Sequence, residues 1–390
     1  MKSKEIHQKI RKSAEQAGFD ALLLTDMENI QYASGFSLPF TTARRTQPAA
    51  LLLPVGGEAV LFLPAEWADS IDSFCRVRRL ATYRGGHAAA DLTALIGDSL
   101  HDLGTSADAL KIGIDLESVP QSLFSRLEKM KAVQWSSCDG LMRQLRSIKT
   151  AEERELLANL AMKADHAVNG CLHHITVDRR MSELTLAEEL RVHSLERDVD
   201  LQGYNAASQV CSGAETSEFW PNAPKFGYAK TKDLQEGDTI RVQLQLTRNG
   251  YWGASARMMI NKSHLNEAQE QTYSSLNEVH ELLMSELTPG RTCREVFEKV
   301  AAGAKKRGIP LAEEFGLGRG IGVSPFESPY ISASDETVIE ENMVLVLDPV
   351  ISTENGIYRS LNTVIVESGG ARIVGWYKDW REPYTPIMSI

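Results

Sequence analysis

Two long strand-like runs, TIRVQLQL (239–246) and YWGASARMMI (251–260), flank Asn249-Gly250. Asn-Gly supplies the two left-handed residues of a tight type I′ turn, so the pair predicts an antiparallel hairpin. Within it Gln243 and Gln245 are two residues apart and share one face. That face is either solvated or lines a pocket. MVLVLDPV (343–350) and NTVIVES (362–368) are further strand candidates in the same half of the chain.

The first half reads as α/β. Ile6, Ile10 and Ala14 repeat at helical spacing up to Gly18. DALLLTD reads as a buried strand, and AALLLP and AVLFLP form a hairpin across Val55-Gly56-Gly57-Glu58. KIGIDL (111–116) is another strand, and residues 117–145 mix helix and strand signals. Thr150 followed by Glu153 is a capping box, which starts a long helix with Leu156, Leu157, Leu160 and Ala164 on one face. The expected domains are 1–148 and 149–390. MSELTLAEEL (181–190) and GRTCREVFEKV (290–300) each read as a polar start followed by an amphipathic helix, the trace a duplicated α+β unit would leave.

The chain has 390 residues, with 42 Lys+Arg against 52 Asp+Glu and a formal net charge of −10. An acidic balance of this size argues against a nucleic-acid partner. No apolar run approaches the roughly 20 residues of a membrane helix, and the first residues show no secretory signal. The five cysteines, Cys75, Cys138, Cys171, Cys211 and Cys293, are odd in number and form no CxxC, so a disulfide scaffold is not expected and a cytoplasmic location is.

HExxH, GxSxG and GxxxxGK[ST] do not occur. The run GLGRGIG (316–322) is not GxGxxG, and close backbone approach explains such glycines better than a dinucleotide does. His173 and His174 are adjacent and cannot share a helical face. Five pieces stand in a fixed order: Gly237-Asp238-Thr239 before a strand; Asn249-Gly250-Tyr251 with Arg257; GLGRGIG with Glu327 and Pro329; NMVLVLDP (342–349); and Tyr358-Arg359 before the last strand. With NIQYASGF (29–36) and RSIK (146–149), this order resembles the creatinase/prolidase/aminopeptidase P family. The resemblance implies an α+β protein: an N-terminal α/β creatinase-type domain, then a C-terminal pita-bread domain. It also implies a homodimer.

Peptidases of that family hold two metals with two Asp, one His and two Glu. The resemblance places Gln243, Ala254, Arg319, Asp348 and Leu361, with Asn362 beside it, at those positions. Ala and Leu ligate nothing, and an arginine places a fixed cation where a metal would sit. No metal and no other cofactor is therefore expected. Creatinase, a metal-free relative, uses residues that fall here on Trp220, Ala256, Asp348 and Leu361, so its chemistry does not carry over either. Ectoine hydrolase, of the same branch, uses a Glu near the position that is Gln243 here.

The expected pocket contains Gln243, Gln245, Tyr251, Arg257, Arg319, Glu327, Asp348 and Arg359, with Trp220 at its rim and Arg45 offered from the N-terminal domain of a partner subunit. Asp348 or Glu327 would act as base or nucleophile, and Arg319 would stabilise negative charge. The expected function is metal-independent hydrolysis of a C–N bond (amide, amidine or guanidino) in a small carboxylate-bearing metabolite. The alternative is a pseudo-peptidase that binds a small molecule, peptide or protein. Arg257 and Arg359 also have a plainer reading, as ion-pair partners of Glu327 and Asp348 that replace the metals.

Overall fold

The computed structural model describes residues 4–36, 48–71, 75–84, 88–104, 109–177, 181–195, 208–213, 231–260, 266–354 and 356–375. They fall into two compact units, Met1–Arg146 and Ser147–Ile390.

In the first unit, Ile6, Ile10 and Ala14 form the buried stripe of α1 (Lys4–Gln16). β1 (Ala21–Leu24) and the hairpin of β2 (Ala50–Pro54) and β3 (Val60–Pro64) are buried throughout. Leucine-rich strands with both faces covered read as apolar runs rather than alternations. β4 (Arg79–Tyr83), β5 (Leu110–Ile114) and β6 (Val133–Ser137) complete a six-stranded mixed sheet in the order β4-β3-β2-β1-β5-β6. Leu92, Ile96 and Leu100 of α3 (Ala88–Leu103) and Leu123 and Leu127 of α4 (Gln121–Leu127) share a core with its strands. Each such side chain contributes about 1.5–3 kcal/mol of apolar transfer. Buried Asp115, just past β5, accepts from the backbone N–H groups of Thr25 and Asp26, which fixes the start of α2 (Met27–Ser34). The mixed signals at 117–145 resolve as α4, β6 and α5 (Asp139–Ser147).

The second unit opens with the expected capping box: Thr150 N donates to Glu153 Oε2 (2.8 Å) and Glu153 N to Thr150 Oγ1 (3.3 Å). α6 (Ala151–Val177) follows, then α7 (Glu183–Leu195) and a three-stranded sheet of β7 (Ser208–Ser212), β8 (Thr239–Arg248) and β9 (Tyr251–Ile260). The β8–β9 turn is the one the sequence requires, with Asn249 at φ 49° and Gly250 at φ 73°. The helix–helix–sheet order then recurs. α8 (Glu267–Glu286) and α9 (Cys293–Lys306) precede β10 (Gly318–Gly320), β11 (Glu327–Ile331) and β12 (Val344–Leu347). α7 and α9, the two echoing segments, are both capped by a hydroxyl, Ser182 and Thr292. β13 (Val350–Thr353) pairs with β14 (Gly356–Arg359), and β15 (Asn362–Glu367) and β16 (Gly370–Val374) extend the sheet to the order β11-β10-β12-β15-β16. The run 343–350, expected as one strand, is broken: β12 stops at Leu347 and β13 starts at Val350. Pro349 offers no N–H to a ladder, and the Asp348 side chain is held by two arginines.

The glycines of GLGRGIG serve close packing. A Cβ on Gly318 would lie 2.6 Å from Val346 O, and one on Gly320 would collide with Ser328 O. Gly318→Ala is therefore expected to destabilise the protein by about 1–3 kcal/mol. Gly369→Ala, where a Cβ meets nothing within 4 Å, should stay within about 0.5 kcal/mol. Paired thermal melts check this; equal melting temperatures for the two variants would contradict it.

Candidate functional site

β8 and β9 pair in a register that puts Arg241 opposite Met258, Gln243 opposite Ala256, Gln245 opposite Ala254 and Thr247 opposite Trp252. Opposed residues of an antiparallel pair point to one side, so these eight form a common face. β7 extends it with Gln209 opposite Gln243 and Cys211 opposite Arg241. Leu361 bridges to Ala256 and donates its N–H to Ala256 O (3.1 Å). That bond carries the β14–β15 corner, and Arg359 with it, to the edge of this face.

The site is an ion network centred on Asp348. Arg359 grips both carboxylate oxygens through Nε and Nη2, and its Nη1 donates to Gln243 Oε1 (2.8 Å). Arg319 Nη1 donates to Asp348 Oδ2 (2.6 Å), and its Nε donates to Pro325 O (3.0 Å). Gln243, Arg319, Asp348 and Arg359 are 1%, 5%, 6% and 2% exposed. Burial alone would raise the Asp348 pKa. Arg359, and after it Arg319, outweigh that and hold the carboxyl below its usual range. Burial lowers the Arg319 guanidinium, with Asp348 opposing. The bidentate fork from Arg359 is the strong geometry for a carboxylate. Asp348, expected as base or nucleophile, is thus an ion-pair acceptor with both oxygens engaged.

Other expected residues lie elsewhere. Tyr251 and Arg257 are on the opposite face of β9, because side chains alternate along a strand. Tyr251 OH donates to Glu153 Oε1 (3.0 Å). Arg257 pairs with Asp165 of α6 (2.9 Å) and donates to Leu361 O (2.5 Å). Its expected role in the pocket, and its pairing with Glu327, are both replaced by that contact. Glu327 sits on β11 with Oε1 accepting from buried Lys149 (2.9 Å), its carboxylate against Gly322. Gln245 shares the face of Gln243. Trp220 and Arg45 lie outside the described residues.

Three contributors were not foreseen. Arg241 is two residues before Gln243, and the same alternation that selected Gln243 would have found it. Its Nη2 donates to Cys211 Sγ (3.8 Å). Burial lowers its guanidinium, and Cys211 opposes the shift. Cys211, partly buried, gave no sequence signal beyond its residue type. His280 of α8 is buried and bonded to Ser360 Oγ (2.7 Å), and burial followed by Arg257 lowers its pKa to about 4.

Two pH windows follow. His280 is neutral in the fold but takes a proton near pH 6.5 when unfolded, so stability falls as pH drops from about 6.5 to about 4. The loss is about 3 kcal/mol, and His280→Gln should flatten that window. The depressed Asp348 pKa gives stability that is present above about pH 4 and lost as pH falls below it. Asp348→Asn should destabilise the protein by about 3–5 kcal/mol at neutral pH and remove that acidic limb. Urea titrations from pH 3 to 8 check both; unchanged profiles in the two variants would contradict the assignments.

Comparison with known proteins supplies the context. The Creatinase/Prolidase N-terminal domain family matches residues 7–148, and the metallopeptidase family M24 matches residues 155–374. The Xaa-Pro dipeptidase of Pyrococcus furiosus is 28% identical over 246 residues, 63% of this chain and 68% of that protein. The Xaa-Pro dipeptidase of Pyrococcus horikoshii is 22% identical over 94% of this chain and 96% of that one. The crystal structure of an X-Pro aminopeptidase from Thermotoga maritima superposes with a TM-score of 0.79 at 19% identity, covering 95% of this chain and 97% of that one. The N-terminal domain of the FACT complex subunit SPT16 from Cicer arietinum superposes with a TM-score of 0.72 at 14% identity, covering 97% and 98%. These likenesses show the fold: a creatinase-type N-terminal domain and a pita-bread domain.

The residues that the resemblance places at the metal-ligand positions do not fit a pair of divalent ions. Such ions need several free anionic oxygens. Here Asp348 is the one carboxylate among those positions and both of its oxygens are bonded, while Arg319 is a cation and Ala254 and Leu361 have no donor atom. Among the described residues, no three or more His, Cys, Asp or Glu are grouped so as to hold a metal ion. This chain belongs to metallopeptidase family M24, with an arginine–carboxylate network where the resemblance places the family's metal ligands.

Proposed function

We propose that the chain is a metal-independent member of its family whose site binds a small polar ligand and does not cleave peptide bonds through a metal. One observation carries the reading: both oxygens of Asp348 are taken by Arg319 and Arg359. A carboxylate held in three charge-assisted contacts from two arginines, with a lowered pKa, is a poor base and a poor nucleophile. Glu327 is likewise bonded to Lys149. The fold also serves a protein described as a complex subunit, SPT16, which supports binding as a use of this architecture. The reading includes a homodimer located in the cytoplasm; no helix among the described residues is long and apolar enough to cross a membrane.

A second reading is favoured by the polar character of the site at Gln243, Gln245 and Arg319 and by relatives described as Xaa-Pro dipeptidases. It is metal-free hydrolysis of an amide, amidine or guanidino C–N bond in a small carboxylate-bearing metabolite. Its base would be a group other than Asp348.

EDTA is expected to leave the melting temperature unchanged, and added Mn²⁺ or Zn²⁺ to give no cleavage of X-Pro dipeptides. A melting temperature several degrees lower in EDTA, or Mn²⁺-dependent cleavage, would overturn both readings. With EDTA present, product formation by mass spectrometry from a panel of small amides, amidines and guanidino acids would select the second reading over the first.

A further inference from the structure

Arg319 carries a polar atom for which the described residues supply no partner. Its Nε is bonded to Pro325 O and its Nη1 to Asp348, but Nη2 is buried and has no hydrogen-bond partner among the described residues. Native proteins rarely leave a buried donor unmet, and a charged one least of all. The guanidinium keeps its charge at any physiological pH. The fork from Arg359 already balances the single charge of Asp348, so the charge on Arg319 is a local surplus. The plane of Arg319 is held by its two bonds and by the Phe326 ring, 4.1 Å from Cζ. A cation resting on an aromatic face is restrained in direction. Phe326 is itself exposed. The held plane leaves the Nη2 corner as a fixed, charged donor. Elsewhere at the metal-ligand positions, Ala254 and Leu361 present only apolar side chains.

We infer that Arg319 Nη2 is the docking point for an oxygen of a small monoanionic ligand, with a carboxylate as its class. This rests on the metal-free binding reading above and names what that site recognises. One amino group serves one or two oxygens of a single acceptor. A phosphate dianion calls for more donors and more positive charge. A neutral carbonyl gains less from a buried cation than an anion does.

The test uses full-length protein labelled with ¹⁵N-arginine. Guanidinium signals are followed while sodium acetate, acetamide or inorganic phosphate is added at constant ionic strength. Acetate is expected to shift the signals of one buried arginine saturably, and to bind about tenfold more tightly than acetamide of the same shape. Arg319→Lys keeps a cation beside Asp348 and removes Nη2. It is expected to lose that saturable response while retaining a native circular dichroism spectrum. Should this variant fail to fold, the acetate–acetamide comparison on the wild type decides the matter. Equal responses to acetate and acetamide, no saturable response, tighter binding of phosphate, or acetate binding unchanged in folded Arg319→Lys would each overturn the inference. Protein that takes up no Mn²⁺ yet ignores acetate sinks this inference alone. Uptake of Mn²⁺ would remove the underlying reading first.

Discussion

The site depends on one carboxylate shared between two guanidiniums. Asp348 directly follows β12, Arg319 lies in the middle of the short β10, and Arg359 closes β14. A buried charge is tolerated only when paired and hydrogen-bonded, so each of these strands is committed to a geometry that brings its charge to the same point. Gln243 joins β8 to the network through Arg359. β8, β10, β14 and the residue after β12, from three sheets, are thus tied by buried polar contacts. The attraction in such a network offsets a desolvation cost of similar size, so its net contribution to stability is small.

In the proposed metal-independent reading, the same network stands in for the metals. A pair of divalent ions draws carboxylates from several strands together, and arginine between carboxylate and amide can span the same positions with hydrogen bonds. Arg319 and Arg359 supply the positive charge, Asp348 the negative, and Gln243 a neutral acceptor. At Ala254 and Leu361 the chain instead turns apolar, and both are buried. In that reading chemistry and structure separate: the fold of metallopeptidase family M24 is kept, while at the positions the resemblance assigns to metal ligands both Asp348 oxygens are engaged by arginines.

Much of the fold was legible because its signals are local. The Asn249-Gly250 turn, the Thr150–Glu153 cap and the stripe of Ile6, Ile10 and Ala14 each depend on neighbours a few residues away. The break in 343–350 was written in Pro349 but masked by the continuous apolar run before it. The site was legible in part. Gln243 and Asp348 emerged from motif position, whereas Tyr251 and Arg257 were misplaced because position in a motif does not say which face of a strand a side chain takes. Alternation from Gln243 across the hairpin would have excluded both, and would have added Arg241. The pairing of Arg257 with Asp165, of Tyr251 with Glu153 and of Lys149 with Glu327 spans about 90 to 180 residues of chain, and no local pattern encodes partners at that distance.

The most direct test of the central claim is the metal content of the protein itself. The chain would be purified from cells grown with added Mn²⁺ and Zn²⁺, equilibrated against each ion, desalted and measured by inductively coupled plasma mass spectrometry. The arginine–carboxylate network predicts far less than one bound ion per chain. Close to two ions per chain, retained through desalting, would mean that Asp348 and its neighbours rearrange to bind metal, and would contradict the account.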